Sequence, residues 1–245
     1  MPVNTTPDGA TTTISDAISY PGGKGQIYRH IINLTPPHNT YIELFAGGGA
    51  VLRHKRPATV GNIAIDVDAS ALNTLRFSIN ISGDVDHRYQ FLHTDAFDYL
   101  ASSVFTSDTF MYVDPPYLLE SRKQHRQMYR GELSAEAHST LLAMLIDLPC
   151  RVAISGYWSQ LYADTLAGWH HQSWRVRTRG GSWAKEFLWM NYPRPVALHD
   201  YSYLGSDYRE RERIKRKTTR WANKWAGLPI LERQAILAAL QETGL

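Results

Sequence analysis

Apolar positions along the chain fall into short clusters, and two periods alternate between them. Runs rich in β-branched and aromatic residues occupy 40–45 (TYIELF), 62–66 (NIAID), 90–95 (QFLHTD), 110–114 (FMYVD), 151–155 (RVAIS), 172–177 (QSWRVR) and 186–192 (EFLWMNY), and each reads as a strand. Between them, helical spacing appears near 24–34, 49–56, 69–80, 134–147 and 158–167. In 134–147 a Ser134 cap is followed by Ala137, Leu141, Leu142 and Leu145 on the inward side, and Pro149 ends the element. Strands alternating with helices predict an α/β fold with a mostly parallel sheet covered on both faces. The last two strands are separated by a short glycine-containing loop (RGGSWA), which predicts an antiparallel hairpin at one edge. Residues 1–18 are threonine-rich and aperiodic, a loose arm, and 201–245 read as helical, closing on an amphipathic pattern (PILERQAILAAL).

With 245 residues and 43% apolar content, the chain can bury the core of one α/β domain and still carry an extension. No apolar run approaches a membrane span, and the opening MPVNTTPDGATTT lacks the basic and apolar regions of a signal peptide. The expectation is a soluble cytoplasmic protein that does not engage a membrane. Cys150 is the single cysteine, which excludes an internal disulfide and a cysteine-based zinc site and reads as packing. The ten histidines show no metal spacing, and His125 and His138 are expected to be exposed.

Net charge is only +3, but its distribution is uneven. Arg209, Arg211, Arg213, Lys215, Arg216, Lys217, Arg220 and Lys224 crowd one C-terminal stretch, and Arg122, Lys123, His125, Arg126 and Arg130 crowd another. Both suit a polyanionic partner. For the C-terminal stretch, a solvated helix face with local ion pairs to Glu210 and Glu212 carries equal weight.

Chemistry gathers where strands are expected to end. YIELFAGGGAVL reads as strand, glycine loop and helix, a geometry that brings backbone close to a ligand. Its spacing is neither that of a dinucleotide fingerprint nor that of a P-loop. The next strand ends in Asp66, positioned to accept ribose hydroxyls, with Asp68 as a helix cap; the third ends in Asp95 and the fourth in Asp114. A series of acids along the carboxyl edge of one sheet marks a ligand site. After Asp114, Pro115 and Pro116 stiffen the loop and Tyr117 adds an aromatic face.

Taken in order, YPGGK (20–24), FAGGG (45–49), Asp66, Asp95 and DPPY (114–117) resemble the Dam-like (D12) class of S-adenosylmethionine-dependent DNA adenine-N6 methyltransferases, in the short form met in phages and prophages and associated with restriction–modification. The resemblance covers roughly 19 to 200. It implies a Rossmann-like seven-stranded mixed sheet over 19–200, a basic substrate-facing loop at 120–133 and a basic helical extension at 201–245. It further implies that Tyr20, Lys24, Phe45, Gly47, Gly49, Asp66, Asp95 and Asp114 contact S-adenosylmethionine, and that Asp114, Pro115, Pro116 and Tyr117 form the catalytic loop. Arg122, Lys123, Arg126, Arg130, Arg213, Lys215, Arg216 and Lys217 are the candidates for contact with DNA. Dam-like enzymes generally carry a sizeable recognition domain between the third strand and DPPY, whereas Asp95 and Asp114 leave room here for a short connection, so both site-specific methylation and a short, relaxed or absent recognition motif stay open.

The implied reaction is methylation of a flipped-out adenine at N6, in a bacterial or phage-infected cell. Asp114 and the Pro115 carbonyl would accept the amino hydrogens and Tyr117 would stack on the base. The same loop suits cytosine N4 or RNA adenine, and a non-catalytic DNA-binding shell also stays open. An NAD-dependent oxidoreductase ranks last, because it leaves DPPY without a role.

Overall fold

The computed structural model describes residues 27–80, 87–118, 132–177 and 181–243. Tyr20, Lys24, Arg122, Lys123, Arg126 and Arg130 fall outside them. The chain divides into two compact units between Asp200 and Tyr201.

Within the first unit the elements run α1 (Tyr28–Ile32), β1 (Thr40–Leu44), α2 (Ala50–His54), β2 (Gly61–Asp66), α3 (Ala69–Asn80), β3 (Tyr89–His93), α4 (Ala96–Ser102), β4 (Thr109–Val113), α5 (Ala135–Ile146), β5 (Arg151–Tyr157), α6 (Gln160–Thr165), β6 (His170–Arg177) and β7 (Trp183–Met190). The strands form one sheet in the order β3-β2-β1-β4-β5-β7-β6. β1 to β5 pair in parallel, while β7 runs antiparallel to both β5 and β6. The expected seven-stranded, Rossmann-like mixed sheet with a terminal hairpin at one edge is therefore present. α4 is an element that the periodicity did not reveal; Asp95 caps it by accepting the Phe97 N–H at 2.7 Å.

Burial follows position in the sheet. Central β4 is buried at every residue, whereas edge strands β3 and β6 are half exposed, as expected of a sheet covered on both faces at its centre. On one face Ile42, Leu44, Met111, Val113, Val152 and Ile154 pack with Leu100 of α4, Leu141, Leu142 and Leu145 of α5, and Tyr162 of α6. Each fully buried leucine there stabilises the fold by roughly 1.5–3 kcal/mol, and Leu142→Ala would cost about 2–5 kcal/mol.

The opposite face is more polar. Tyr41 and Phe110 stack with centroids 6.0 Å apart, and the Lys55 ammonium lies 4.1 Å from the Tyr41 ring centroid. Lys55 also donates to Asn62 Oδ1 at 2.9 Å. Burial pulls the Lys55 pKa down to about 7, because desolvation disfavours the ammonium. Cys150 is buried and its thiol is pushed up to about 11 by burial, so it stays protonated.

The second unit holds α7 (Tyr208–Ala226) and α8 (Ile230–Glu242). Asp207 starts α7 by accepting the Glu210 N–H at 2.8 Å, and Glu210 reaches back to the Ser206 N–H at 2.8 Å, a reciprocal capping arrangement. No described helix is long and apolar enough to cross a membrane.

Candidate active site

Two loops meet at the carboxyl edge because their strands end level. In the β1–β4 pair, Thr40 faces Thr109 and Leu44 faces Val113. The Asp114 N–H extends the ladder by donating to the Leu44 carbonyl at 3.3 Å. Phe45 and Asp114 thus leave neighbouring strands at the same height, about 4.8 Å apart in the pairing direction. This is the crevice where open α/β sheets hold ligands.

The glycine loop turns through left-handed backbone. Phe45 has φ 57°, Gly47 48° and Gly49 57°, an uncommon conformation for a residue with the bulk of Phe45. At Gly49 a Cβ would lie 2.4 Å from Leu75 Cδ1 of α3, so close packing as well as φ requires glycine there. The loop is tied to β2: the Ala46 N–H donates to the Ile65 carbonyl at 2.9 Å, and the Gly47 N–H donates to Asp66 Oδ2 at 2.7 Å. Asp66 Oδ1 accepts the Asp68 N–H at 2.8 Å. Burial raises the Asp66 pKa, and the backbone donors oppose that rise. Asp68 Oδ1 accepts from Ser70 and Ala71 at 2.9 and 3.2 Å, the expected cap of α3.

Several residues that support these loops were not singled out in the sequence. Glu43, on β1, is buried; its Oε2 accepts the Tyr41 hydroxyl at 2.7 Å and the Leu52 N–H of α2 at 2.9 Å. Burial raises its pKa to about 7, those two donors oppose the rise, and the Asp114 charge adds to it.

Tyr117 donates its hydroxyl to Glu186 Oε1 of β7, and its ring meets Tyr157 of β5 edge-on at 4.7 Å. Burial and the charges of Asp114 and Glu186 hold the Tyr117 hydroxyl protonated, well above the usual phenol range.

His138 corrects an expectation. It is fully buried in α5 rather than exposed, because the helix turns His138 inward and leaves Ala137 only half-buried. Its Nε2 lies 3.1 Å from the Pro116 carbonyl and its Nδ1 lies 2.9 Å from the Tyr162 hydroxyl. A carbonyl can only accept, so Nε2 carries the hydrogen. In the neutral ring Nδ1 then accepts from Tyr162. Burial raises the Tyr162 pKa far above the usual range, keeping its hydroxyl a donor. The second proline of DPPY is therefore held from beneath by a helix.

The structure brings Phe45, Gly47, Gly49, Asp66 and Asp114–Tyr117 to one sheet edge. Asp95 stands at the end of β3 on that edge, serving as the α4 cap. Between β3 and β4 the chain holds only α4 and a short loop, so no recognition domain intervenes there. Arg213, Lys215, Arg216 and Lys217 lie on α7, in the second unit.

Residues 20–87 match the family of D12 class N6 adenine-specific DNA methyltransferases. Over those residues the chain is similar to the D12 class. The match spans YPGGK, the glycine loop and Asp66; Asp95 and DPPY lie beyond it. S-adenosylmethionine is the cofactor that goes with the D12 class, and methyl transfer from it is the reaction class. No curated protein matches the chain in sequence.

Among solved structures, a precorrin 8W decarboxylase of Methanobacterium thermoautotrophicum is 12% identical, over 71% of this chain and 94% of its own, with a TM-score of 0.48. A SAM-dependent methyltransferase of Agrobacterium tumefaciens is 12% identical over 67% of this chain and 60% of its own, at 0.46. The precorrin-6y C5,15-methyltransferase of Geobacter metallireducens is 10% identical over 68% and 85%, at 0.44. Likenesses this distant say nothing of substrate.

The residues present fit the D12 cofactor on their own chemistry. A sulfonium is a cation, and the edge gathers carboxylates: the charge of Asp114 reaches the ionisation of Glu43, Tyr41, Tyr112, Tyr117 and Tyr162. Asp66, tied to the Gly47 backbone, sets a carboxylate at the end of β2, the kind of acceptor that ribose hydroxyls would require.

Proposed function

We propose that the protein methylates the exocyclic N6 of adenine in DNA, with the target base flipped into the crevice between the glycine loop and DPPY. The level ending of β1 and β4 supports this reading, because it sets the glycine loop beside DPPY. The D12 match over residues 20–87 supports adenine in DNA as the substrate. Tyr20 and Lys24 fall within that match and are proposed as further cofactor contacts, with Phe45, Gly47, Gly49, Asp66, Asp95 and Asp114.

Bound S-adenosylmethionine supplies a methyl group already activated by its sulfonium. The protein has to present a nitrogen whose lone pair is otherwise delocalised into the purine. Asp114 and the Pro115 carbonyl accept the two amino hydrogens, which turns the lone pair out of the ring plane and towards the methyl carbon. The N6–CH3 bond would form as the S–CH3 bond of the sulfonium breaks, S-adenosylhomocysteine would leave as the neutral thioether, and N6 would shed one proton by way of the Asp114 carboxylate. Tyr117 offers the stacking face, a contact of roughly 1–3 kcal/mol per base. Pro115 and Pro116 restrict the backbone of the residues before them, and His138 fixes the Pro116 carbonyl, so acceptor and ring keep their register.

Expression in a host lacking DNA methylases, followed by mass spectrometry of its nucleosides, tests the reading. N6-methyladenine is expected from the wild type and none from Asp114→Ala. N4-methylcytosine would change the base, and unmodified DNA from a folded, cofactor-binding protein would overturn the proposal. The density of N6-methyladenine reports stringency, which the short β3–β4 connection predicts to be low.

A further inference from the structure

α7 is a helix with one cationic side. At about 100° per residue, Arg209, Arg213, Arg216, Lys217, Arg220 and Lys224 fall within an arc of about 100°, in a stripe about 22 Å long. All six are exposed. Arg213, Arg216, Lys217 and Arg220 line an open depression of about 580 Å³. Arg211 and Lys215 point to the other side, where Ile214 and Trp225 are half-buried. Among the described residues, Glu210 is the acid that meets the stripe, 3.5 Å from Arg213 at an exposed position. Such a contact is worth little. Glu210 is moreover engaged by Ser206 N–H and Oγ at 2.8 and 2.7 Å. Gathering six like charges on one side costs helix stability, a cost that a bound polyanion would offset.

We propose that this side of α7 is a docking surface for the phosphate backbone of the DNA on which the enzyme acts. The inference rests on the substrate proposed above, and it assigns the contact to backbone charge rather than to base edges. Arginine suits it, since its planar donors pair with phosphate oxygens. Trp221, 56% exposed and 5.2 Å from the Lys224 ammonium, adds a flat apolar surface beside the stripe. An anionic membrane is the other macromolecule that a basic amphipathic helix fits. α7 lacks the broad apolar face that immersion requires: Ile214, Trp221 and Trp225 are broken by Thr218 and bordered by Arg211 and Lys215. Spacing and charge therefore favour the polyphosphate. Lys215 drops out of the candidate contacts, and Arg209, Arg220 and Lys224 join them.

The test uses the full chain and the fourfold variant Arg213→Gln, Arg216→Gln, Lys217→Gln and Arg220→Gln, with Arg211→Gln/Lys215→Gln as the opposite-side control. Glutamine keeps helix propensity close to that of the residues replaced. Binding to a 30-base-pair duplex is measured by fluorescence anisotropy across a salt series. The slope of log K against log salt should become shallower by about 3–4 for four lost phosphate contacts. KM for DNA should rise at least tenfold, with kcat at saturating DNA and S-adenosylmethionine affinity unchanged. The control pair should leave the slope as it is.

An unchanged slope in the fourfold variant, or an equal change in the control, overturns the inference. So does a loss confined to binding of phosphatidylserine vesicles. If the wild type modifies no DNA but the slope shifts as expected, the docking surface stands and the substrate proposal falls.

Discussion

The Tyr117 hydroxyl donates to Glu186, so the aromatic ring that closes the DPPY loop is anchored to β7, a strand on the far side of β5. With Tyr157 against its edge, the ring is fixed at two points and its orientation is set by the antiparallel end of the sheet. An anchored ring loses little further entropy when a base stacks on it.

Removing the anchor should therefore cost rate while leaving the ring in place. Tyr117→Phe is expected to lower single-turnover methyl transfer about tenfold, equivalent to about 1.4 kcal/mol. Tyr117→Ala should lower it further by the lost stacking, roughly 1–3 kcal/mol. Glu186→Ala should match Tyr117→Phe, and the double variant should show no added loss. Additive losses would mean that the two residues act separately.

His138 acts on the loop from below, through the Pro116 carbonyl. His138→Gln can still present an N–H to that carbonyl, whereas His138→Leu cannot. We expect His138→Leu to lower kcat by one to two orders of magnitude with S-adenosylmethionine affinity unchanged, and His138→Gln to recover part of it. The cost follows from leaving a buried carbonyl unpaired, about 1–3 kcal/mol. Equal rates for the two variants, after matching for thermal stability, would reduce His138 to packing.

Asp66 holds Gly47 and Asp68 with its two oxygens. Asp66→Asn turns an amide NH₂ towards one of those backbone donors, so it should disturb the loop even without ligand. Calorimetry is expected to show S-adenosylmethionine binding weakened at least tenfold, with a fall in Tm. An unaltered affinity would remove Asp66 from the cofactor site.

Glu43 gives a pH signature. Its folded pKa, raised to about 7 by burial, exceeds the unfolded value near 4.5. The folded state therefore binds the extra proton between those values, and stability falls as pH rises through about 4.5 to 7. Glu43→Gln keeps an acceptor for Tyr41 and Leu52 but cannot ionise. Relative to the variant, the wild type should lose up to about 3 kcal/mol across that window and no more above it. Parallel Tm-against-pH curves would contradict the assignment.

Much of this was legible in the chain. All seven strands announce themselves as β-branched and aromatic runs, and RGGSWA marks the hairpin because so short a connection permits no crossover. α4 was hidden for two reasons. Its apolar residues follow directly on the β3 run with no turn-forming break, and Asp95 reads equally well as a ligand acid or as a cap. His138 was legible in principle. With Leu141, Leu142 and Leu145 it follows the i, i+3, i+4, i+7 spacing of the buried face, but a histidine there reads as polar. The pairing of Tyr117 with Glu186 had no local signal, since it depends on β7 inserting beside β5.

The pairing of Thr40 with Thr109 also bears on how the protein is made. The glycine loop leaves the ribosome before the strand that must lie beside it. At about 5–20 residues/s the interval is roughly 3–14 s. Until β4 arrives, one side of β1 presents open backbone and apolar side chains to any other nascent chain, so yield at high expression should depend on chaperone supply and temperature more than on the stability of the finished fold.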